Sequence, residues 1–291
     1  MTFGRLAMSM LCLFATAVAS GEVLRTADKL PPEFDGVGIV QRLDERVPAD
    51  LVFMDHEGSA VQMGDLLAGG ERPTILTLNY YRCPMLCTLT LNGLVDGLEG
   101  VNLQAGVDYD LVTVSIDPNE GPELAAQNRK GYLSLLEGKG VDTSKAQWPF
   151  LTGQQSQIEQ LAEAVGFGYR LDAKSGEYAH TSSIMFITPD GRISKYMNDV
   201  RFPSRDLRFA MVEASQGRIG TFMDTFVLFN CFQWDPDANS YVADAWKIMR
   251  LGGVFIVLLI IVGWFVLWRM GPESDDNDDA SGLMTGQEVL T

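Results

Sequence analysis

The sequence predicts an α/β layered domain followed by a single membrane-crossing helix. Apolar runs that read as buried strands alternate with segments of helical period between residues 74 and 165. Two cysteines, Cys83 and Cys87, sit where the first of these strands runs into the first of these helices. Leu251 to Trp268 carries no charge over 18 residues, about 27 Å as a helix and just enough for a bilayer core.

Each element follows from its local pattern. Leu51 to Met63, with Asp55-His56-Glu57-Gly58 at its middle, reads as a hairpin around a turn. The run Thr74-Ile75-Leu76-Thr77-Leu78 reads as a buried strand, extended to residue 81. Leu91, Leu94, Val95 and Leu98 then recur at helical spacing, predicting a helix over 85–98. Tyr109 to Ile116 is a second buried strand, ended by Asp117-Pro118, and a helix follows over 121–137. Trp148 to Leu151 is a short strand and 154–165 a helix. Ser182 to Ile187 and Arg192 to Tyr196 flank the turn Pro189-Asp190-Gly191, and 204–216 is a last amphipathic helix. A strand, a dithiol at a helix start, a βα unit, then a hairpin and a helix is the order of a thioredoxin-like domain. Its expected limits are 49–217, with parallel neighbours in the sheet and antiparallel edge strands from the second hairpin.

The flanks address a membrane. Arg5, the apolar stretch Leu6 to Val18 and the small-residue run Ala17-Val18-Ala19 predict a signal peptide over 1–19. Residues 20–48 hold Pro31, Pro32, Gly36, Gly38 and Pro48 and read as an extended arm. Residues 218–247 form an aromatic membrane-proximal segment, 251–268 the transmembrane helix, and 269–291 an acidic tail. Trp246, Trp264 and Trp268 sit where interfacial aromatics often lie. The expected topology is single-pass in the inner membrane, with the domain on the periplasmic or outer side. Lys247 and Arg250 before the span, against Arg269 after it, lean the other way; a translocated domain of this size overrides so small a bias.

The 291 residues are 46% hydrophobic, enough for a full core. The net charge of −16 argues against a nucleic-acid partner. Removing the six acids of the tail (Glu273, Asp275, Asp276, Asp278, Asp279 and Glu288) brings that charge to −10. Four cysteines occur, Cys12, Cys83, Cys87 and Cys231, and Cys12 lies in the expected leader. Three thiols in a mature exported chain do not make a disulfide scaffold; they read as one working pair and one odd thiol.

Cysteines four apart on a helix share a face, and a helix N-terminus favours thiolate over thiol. Two thiolates and one imidazole suit a soft transition metal, above all Cu(I). The histidines are His56, in the first turn, and His180, just before the second hairpin. Cα atoms four apart on a helix are roughly 6 Å apart, within the span of a disulfide. Metal binding and disulfide exchange therefore both stay open for Cys83 and Cys87.

Residues 45–216 resemble the Sco/SenC family of copper-binding, thioredoxin-like proteins that assist cytochrome c oxidase assembly. The resemblance runs through Phe53-Met54-Asp55-His56-Glu57-Gly58, through Tyr80-Tyr81-Arg82-Cys83-Pro84-Met85-Leu86-Cys87, and through Val114-Ser115-Ile116-Asp117-Pro118. It ends on His180 with Ser182 to Gly191. It implies one copper ion, Cu(I) or Cu(II), held by Cys83, Cys87 and His180. It also implies docking to the copper-site subunit of a membrane cytochrome oxidase, and an upstream copper donor or thiol reductase. The chain departs from the family habit at Met85, where an acid is usual, at Thr88, where proline is usual, and in its C-terminal anchor.

Three residues stand beside the expected ligands as accessory candidates. Met85 offers a thioether. Asp117 is expected to end a strand and cap the next helix, with support of the site at second range. Cys231, in Phe229-Asn230-Cys231-Phe232-Gln233-Trp234, is either a buried residue of a membrane-proximal hairpin or a third thiol in reach of the metal. The leading function is a tethered metallochaperone with thiol–disulfide chemistry at Cys83 and Cys87. A reductase for the oxidase's copper-site cysteines and a redox or copper sensor are the alternatives, and His180 discriminates, since a reductase does not need it.

Overall fold

Every residue of β4 (Thr74–Asn79) is buried, because this strand lies at the centre of a sheet covered on both faces. The computed structural model describes residues 36–67, 70–83, 85–216, 226–228, 231–235 and 238–269. The expected leader, most of the arm and the acidic tail lie outside these residues.

The central sheet has five strands. β4 pairs in parallel with β5 (Asp110–Ser115), and β5 with β6 (Phe150–Leu151). On its other side β4 pairs antiparallel with β9 (Ile184–Ile187), which forms a hairpin with the edge strand β10 (Ile193–Met197). The strand order is thus β10-β9-β4-β5-β6. Parallel neighbours and an antiparallel hairpin are the arrangement expected from the order of elements.

Alternation along each strand sorts the core into two faces. Ile75, Leu111, Ile184 and Phe186 face one side. There they meet α2 (Leu86–Glu99), α3 (Pro122–Gly138) and α5 (Ser204–Ala214). Leu76, Leu78, Val112, Val114, Met185 and Ile187 face the other side, against α1 (Met63–Leu67) and α4 (Gln155–Ala164). The first hairpin, β2 (Val52–Met54) with β3 (Ala60–Gln62), turns at Asp55, whose carboxylate accepts the amides of Glu57 and Ser59.

Two further sheets complete the described structure, and the first of them was not legible in the sequence. β1 (Gly38–Ile39), β7 (Phe167–Leu171) and β8 (Tyr178–His180) form a three-stranded sheet with β7 at its centre. The domain therefore takes in the end of the expected arm, where Val47 is buried. Beyond α5, β11 (Phe232–Asp235) and β12 (Ser240–Ala243) form a hairpin that leads into α6 (Ala245–Arg269). Among the described residues α6 is the one helix long and apolar enough to cross a membrane, and none of its residues is buried against the domain.

Helix α2 lies unusually close to the segment after β10. A Cβ on Gly93 would stand 1.9 Å from the Val200 carbonyl oxygen, and one on Gly97 would stand 2.3 Å from that of Phe202. Helix propensity alone favours alanine over glycine by about 1 kcal/mol. Here the backbone contact outweighs it, and overpacking of this kind costs about 1–3 kcal/mol or more. Gly93→Ala should therefore destabilise the domain by about 2 kcal/mol in urea unfolding; a neutral or stabilising result would refute the close approach.

Candidate metal centre

Between β4 and α2 the chain makes a tight loop whose amides are held by one buried carboxylate. Glu120 is 5% exposed and accepts hydrogen bonds from the Tyr81 and Arg82 amides, each at 2.7 Å, and from the Ser115 hydroxyl at 2.6 Å. Burial pushes its carboxyl above the ordinary carboxylate range, against the pull of these three donors. The loop they fix delivers Cys83 to the start of α2.

The helix begins at Leu86, with Met85 at its N-cap and no side-chain cap. The expectation that Cys83 and Cys87 share a helical face is corrected here: Cys83 precedes the helix, and its sulfur folds back over the first turn. The Cys87 amide points at Cys83 Sγ, 3.3 Å away, so the sulfur occupies the place of a capping oxygen. The Cys83 thiol is accordingly pulled well below the ordinary thiol range. A hydrogen bond from the Cys87 side chain is the largest cause, and the amides of Cys87 and Met85 add to it. Cys87 is 3% exposed; burial, and then the neighbouring Cys83 sulfur, push its thiol far up. Its Sγ also accepts the Tyr80 amide at 3.4 Å.

His180 comes from a different part of the chain. It ends β8, which pairs with β7 through Tyr169 opposite His180. Its ring packs edge-on to Tyr80, with centroids 5.8 Å apart, and against Phe167 at 5.9 Å. Its Nδ1 lies 3.0 Å from the Thr181 carbonyl. A carbonyl only accepts, so Nδ1 carries the proton and Nε2 presents a lone pair. That Nε2 stands 3.2 Å from Cys87 Sγ. The Cys87 thiol proton thus lies between two acceptors, the sulfur of Cys83 and the imidazole of His180.

The ligand atoms of Cys83, Cys87 and His180 all lie within 4.8 Å of one another. Three donors bound at about 2.0–2.3 Å around one ion in a plane stand about 3.5–4.0 Å apart. The trio would therefore close around a single ion with shifts of less than about 1 Å. Two sulfurs and one neutral imidazole nitrogen make a soft donor set.

Of the accessory candidates, none brings its side chain into the Cys83, Cys87 and His180 cluster found among the described residues. Met85 is 67% exposed at the rim. Asp117 does not cap α3, which starts at Pro122 behind Gly121. Its carboxylate instead accepts the Asn119 amide and side chain and faces the Tyr178 hydroxyl. Cys231 is half-buried at the base of the β11–β12 hairpin, where its carbonyl accepts the Asp244 amide. A third thiol at the metal is not what the fold provides.

Sequence reading missed Glu120 and the β7–β8 hairpin that carries His180. The alternation Phe167, Tyr169, Leu171, then a turn from Asp172 to Gly176, then Tyr178 and His180 was a readable signal for the hairpin. Glu120 gave none, since an acid after Asp117-Pro118-Asn119 looks like any solvated loop charge.

The asymmetry of the two thiols has a direct consequence. Iodoacetamide should label Cys83 well before Cys87 in the reduced, metal-free domain. Its rate should hold nearly flat as pH falls from about 8 to about 6, where an ordinary thiol loses about a hundredfold in thiolate. Mass spectrometry of timed samples reads this, and equal labelling of the two would refute the loop geometry.

The SCO1/SenC family model matches residues 40–208. A solved structure from Aquifex aeolicus VF5 is 21% identical, covering 59% of this chain and 94% of its own, at a TM-score of 0.50. Arabidopsis thaliana ScoI, solved with copper bound, is 18% identical over 58% of this chain and 98% of its own, at 0.47. Yeast Sco1 with copper bound is 17% identical over 60% and 91%, at 0.42. No curated protein matches. More than half of the sequence falls within the family match, which takes in both thiols and the histidine, and the chain belongs to the SCO1/SenC family.

Proposed function

We propose that this protein is a membrane-tethered copper chaperone that carries one copper ion on Cys83, Cys87 and His180 and supports assembly of the dinuclear copper site of a cytochrome oxidase. The observation that carries this is the gathering of Cys83 Sγ, Cys87 Sγ and the His180 ring nitrogen within 4.8 Å of one another, with His180 Nε2 3.2 Å from Cys87 Sγ, where a soft cation would bind all three donors. A protein that only exchanged disulfides does not need a histidine nitrogen aimed at its buried sulfur, whereas a three-donor copper site does.

Copper is the cargo in this reading, and membership of the family supports it, as do the copper-bound relatives from Arabidopsis thaliana and yeast. The oxidase as acceptor follows from the family. Helix α6 is the proposed tether, with the domain on the exported side in accord with the apolar leader-like stretch Leu6 to Val18. Confinement near a membrane acceptor raises its effective concentration without new contacts. A second reading, a thiol–disulfide reductase for the acceptor's cysteines, is favoured by the lowered pKa of the half-exposed Cys83 beside the shielded Cys87.

Cu(I) competition against bathocuproine separates the two. Cys83→Ser and Cys87→Ser should each abolish tight binding, because a hard oxygen replaces a soft thiolate. His180→Ala should weaken Cu(I) binding by about tenfold or more while thiol–disulfide exchange persists. Wild-type affinity in His180→Ala would leave the reductase as the better reading.

Proton release gives an independent check. Cys83 is already a thiolate near neutrality and Cys87 is not. Metal binding at about pH 7–8 should therefore release about one proton, and log K should rise about one unit per pH unit. A slope near two would mean that both thiols are protonated in the metal-free protein, against the geometry above.

A further inference from the structure

The hairpin between the domain and α6 is tied down at both ends. At its base the Asp244 amide donates to the Cys231 carbonyl, and the Lys247 ammonium donates to the Phe232 carbonyl at 2.8 Å. Asp244 also accepts the amides of Trp246 and Lys247, so it caps α6. The membrane helix thus starts directly from the hairpin, with no free linker.

Midway along, Tyr241 is 3% exposed and packs edge-on to Phe209 of α5 and to Trp234. Lys195, on β10 and 5% exposed, donates to the Tyr241 hydroxyl at 2.9 Å and pairs with Glu213 at 2.5 Å. Its ammonium also sits 4.8 Å from the Trp234 ring centre. An ammonium buried among these partners accepts one placement of the hairpin and penalises others.

At the tip, the Asn239 side chain accepts the Asn198 amide at 2.9 Å. Asn198 in turn accepts the Ser183 hydroxyl at 2.8 Å, three residues from His180. The same loop is held by Ser182, which donates to the Asp199 carbonyl and accepts the Thr90 hydroxyl of α2 at 2.8 Å. The end of the hairpin farthest from α6 therefore abuts the segment after β10, which in turn holds the loop that follows His180. Three strand steps, about 10 Å, separate that tip from the base.

We propose that the β11–β12 hairpin is a rigid strut holding the metal-bearing end of the domain away from the membrane surface. The partner it fits is a membrane-anchored acceptor whose own soft-metal site, built of thiolates or imidazoles, stands clear of the bilayer at a matching height. This rests on the reading of α6 as a membrane span and of Cys83, Cys87 and His180 as the copper site. A flexible tether would let the site sweep the headgroups; a strut restricts it to partners of one height.

The test uses the full chain in nanodiscs. A donor fluorophore is placed on Cys83 in a Cys12→Ser, Cys231→Ser background, with acceptor dye on the lipid headgroups. The wild-type chain should give one narrow, low transfer efficiency. Inserting about six Gly/Ser residues between Ala243 and Asp244 should broaden it and raise its mean. Asn239→Ala, which keeps the chain length, should broaden it less. In unlabelled protein the insertion should leave Cu(I) affinity and loss of copper to soluble bathocuproine unchanged, which also reports intact folding. Copper delivery to the membrane oxidase should fall by about fivefold or more. A wild-type distribution as broad as that of the insertion variant would overturn the strut, and so would unchanged delivery. Failure of the chain to stay with the nanodisc would overturn the strut through its membrane premise, and loss of Cu(I) binding in the wild-type chain would strike the copper reading instead.

Discussion

The amide of Cys87 pointing at the sulfur of Cys83 is the contact on which the centre depends. It exists because the β4–α2 loop ends one turn short of covering the helix start, leaving first-turn amides without intrahelical partners. A serine or aspartate would normally satisfy them through oxygen. Here a sulfur does so, and the partial positive charge at the helix end stabilises it as thiolate. Everything that holds the loop therefore acts on the chemistry of the sulfur. Glu120 is the chief restraint, because it binds both amides immediately before Cys83.

The third donor arrives by long-range topology. His180 is 93 residues from Cys87 and reaches it only because β9 pairs with β4 and the β7–β8 hairpin precedes β9. Tyr80 and Phe167 then fix the ring from two sides, and the Thr181 carbonyl fixes its tautomer. This is a division of labour between rigid parts. The sheet sets the distance, the aromatic contacts set the orientation, and one backbone carbonyl selects which nitrogen is bare.

The parts of this that were legible in the sequence are those with a local signal. β4, β5, α2, α3 and the β9–β10 hairpin each announce themselves through periodicity and turn residues, and the strand–dithiol–helix junction follows from them. The three candidate donors could be named because thiols and imidazoles are scarce in this chain and because the family resemblance implies the same three. The register was not legible. Reading cysteines four apart as sharing a helical face put both in the helix, whereas the helix starts at Leu86 and Cys83 stands outside it. Glu120 illustrates the harder limit: its carboxylate is a structural acceptor only because the fold buries it beneath amides of a loop 38 residues earlier. The β11–β12 hairpin was anticipated in outline from its aromatics, but its hold on the domain rests on Lys195 and Glu213, which look like ordinary surface charges in the sequence.

In the proposed copper reading, the centre's burial pattern also sets the order in which its donors would be exchanged. Cys83 is half-buried, with its thiol pulled well below the ordinary range, while Cys87 and His180 are nearly covered. An incoming thiolate from a partner would therefore meet Cys83 first. Cys87 must regain its proton on release, and His180 Nε2, 3.2 Å away, is the acceptor with which that proton is shared in the metal-free state. The free site is therefore hydrogen-bonded internally, and in the copper reading loading would exchange a proton for a metal ion among the same atoms. In that reading the two covered donors preserve the empty site, and the half-buried Cys83 sulfur is the donor at which exchange with a partner would begin.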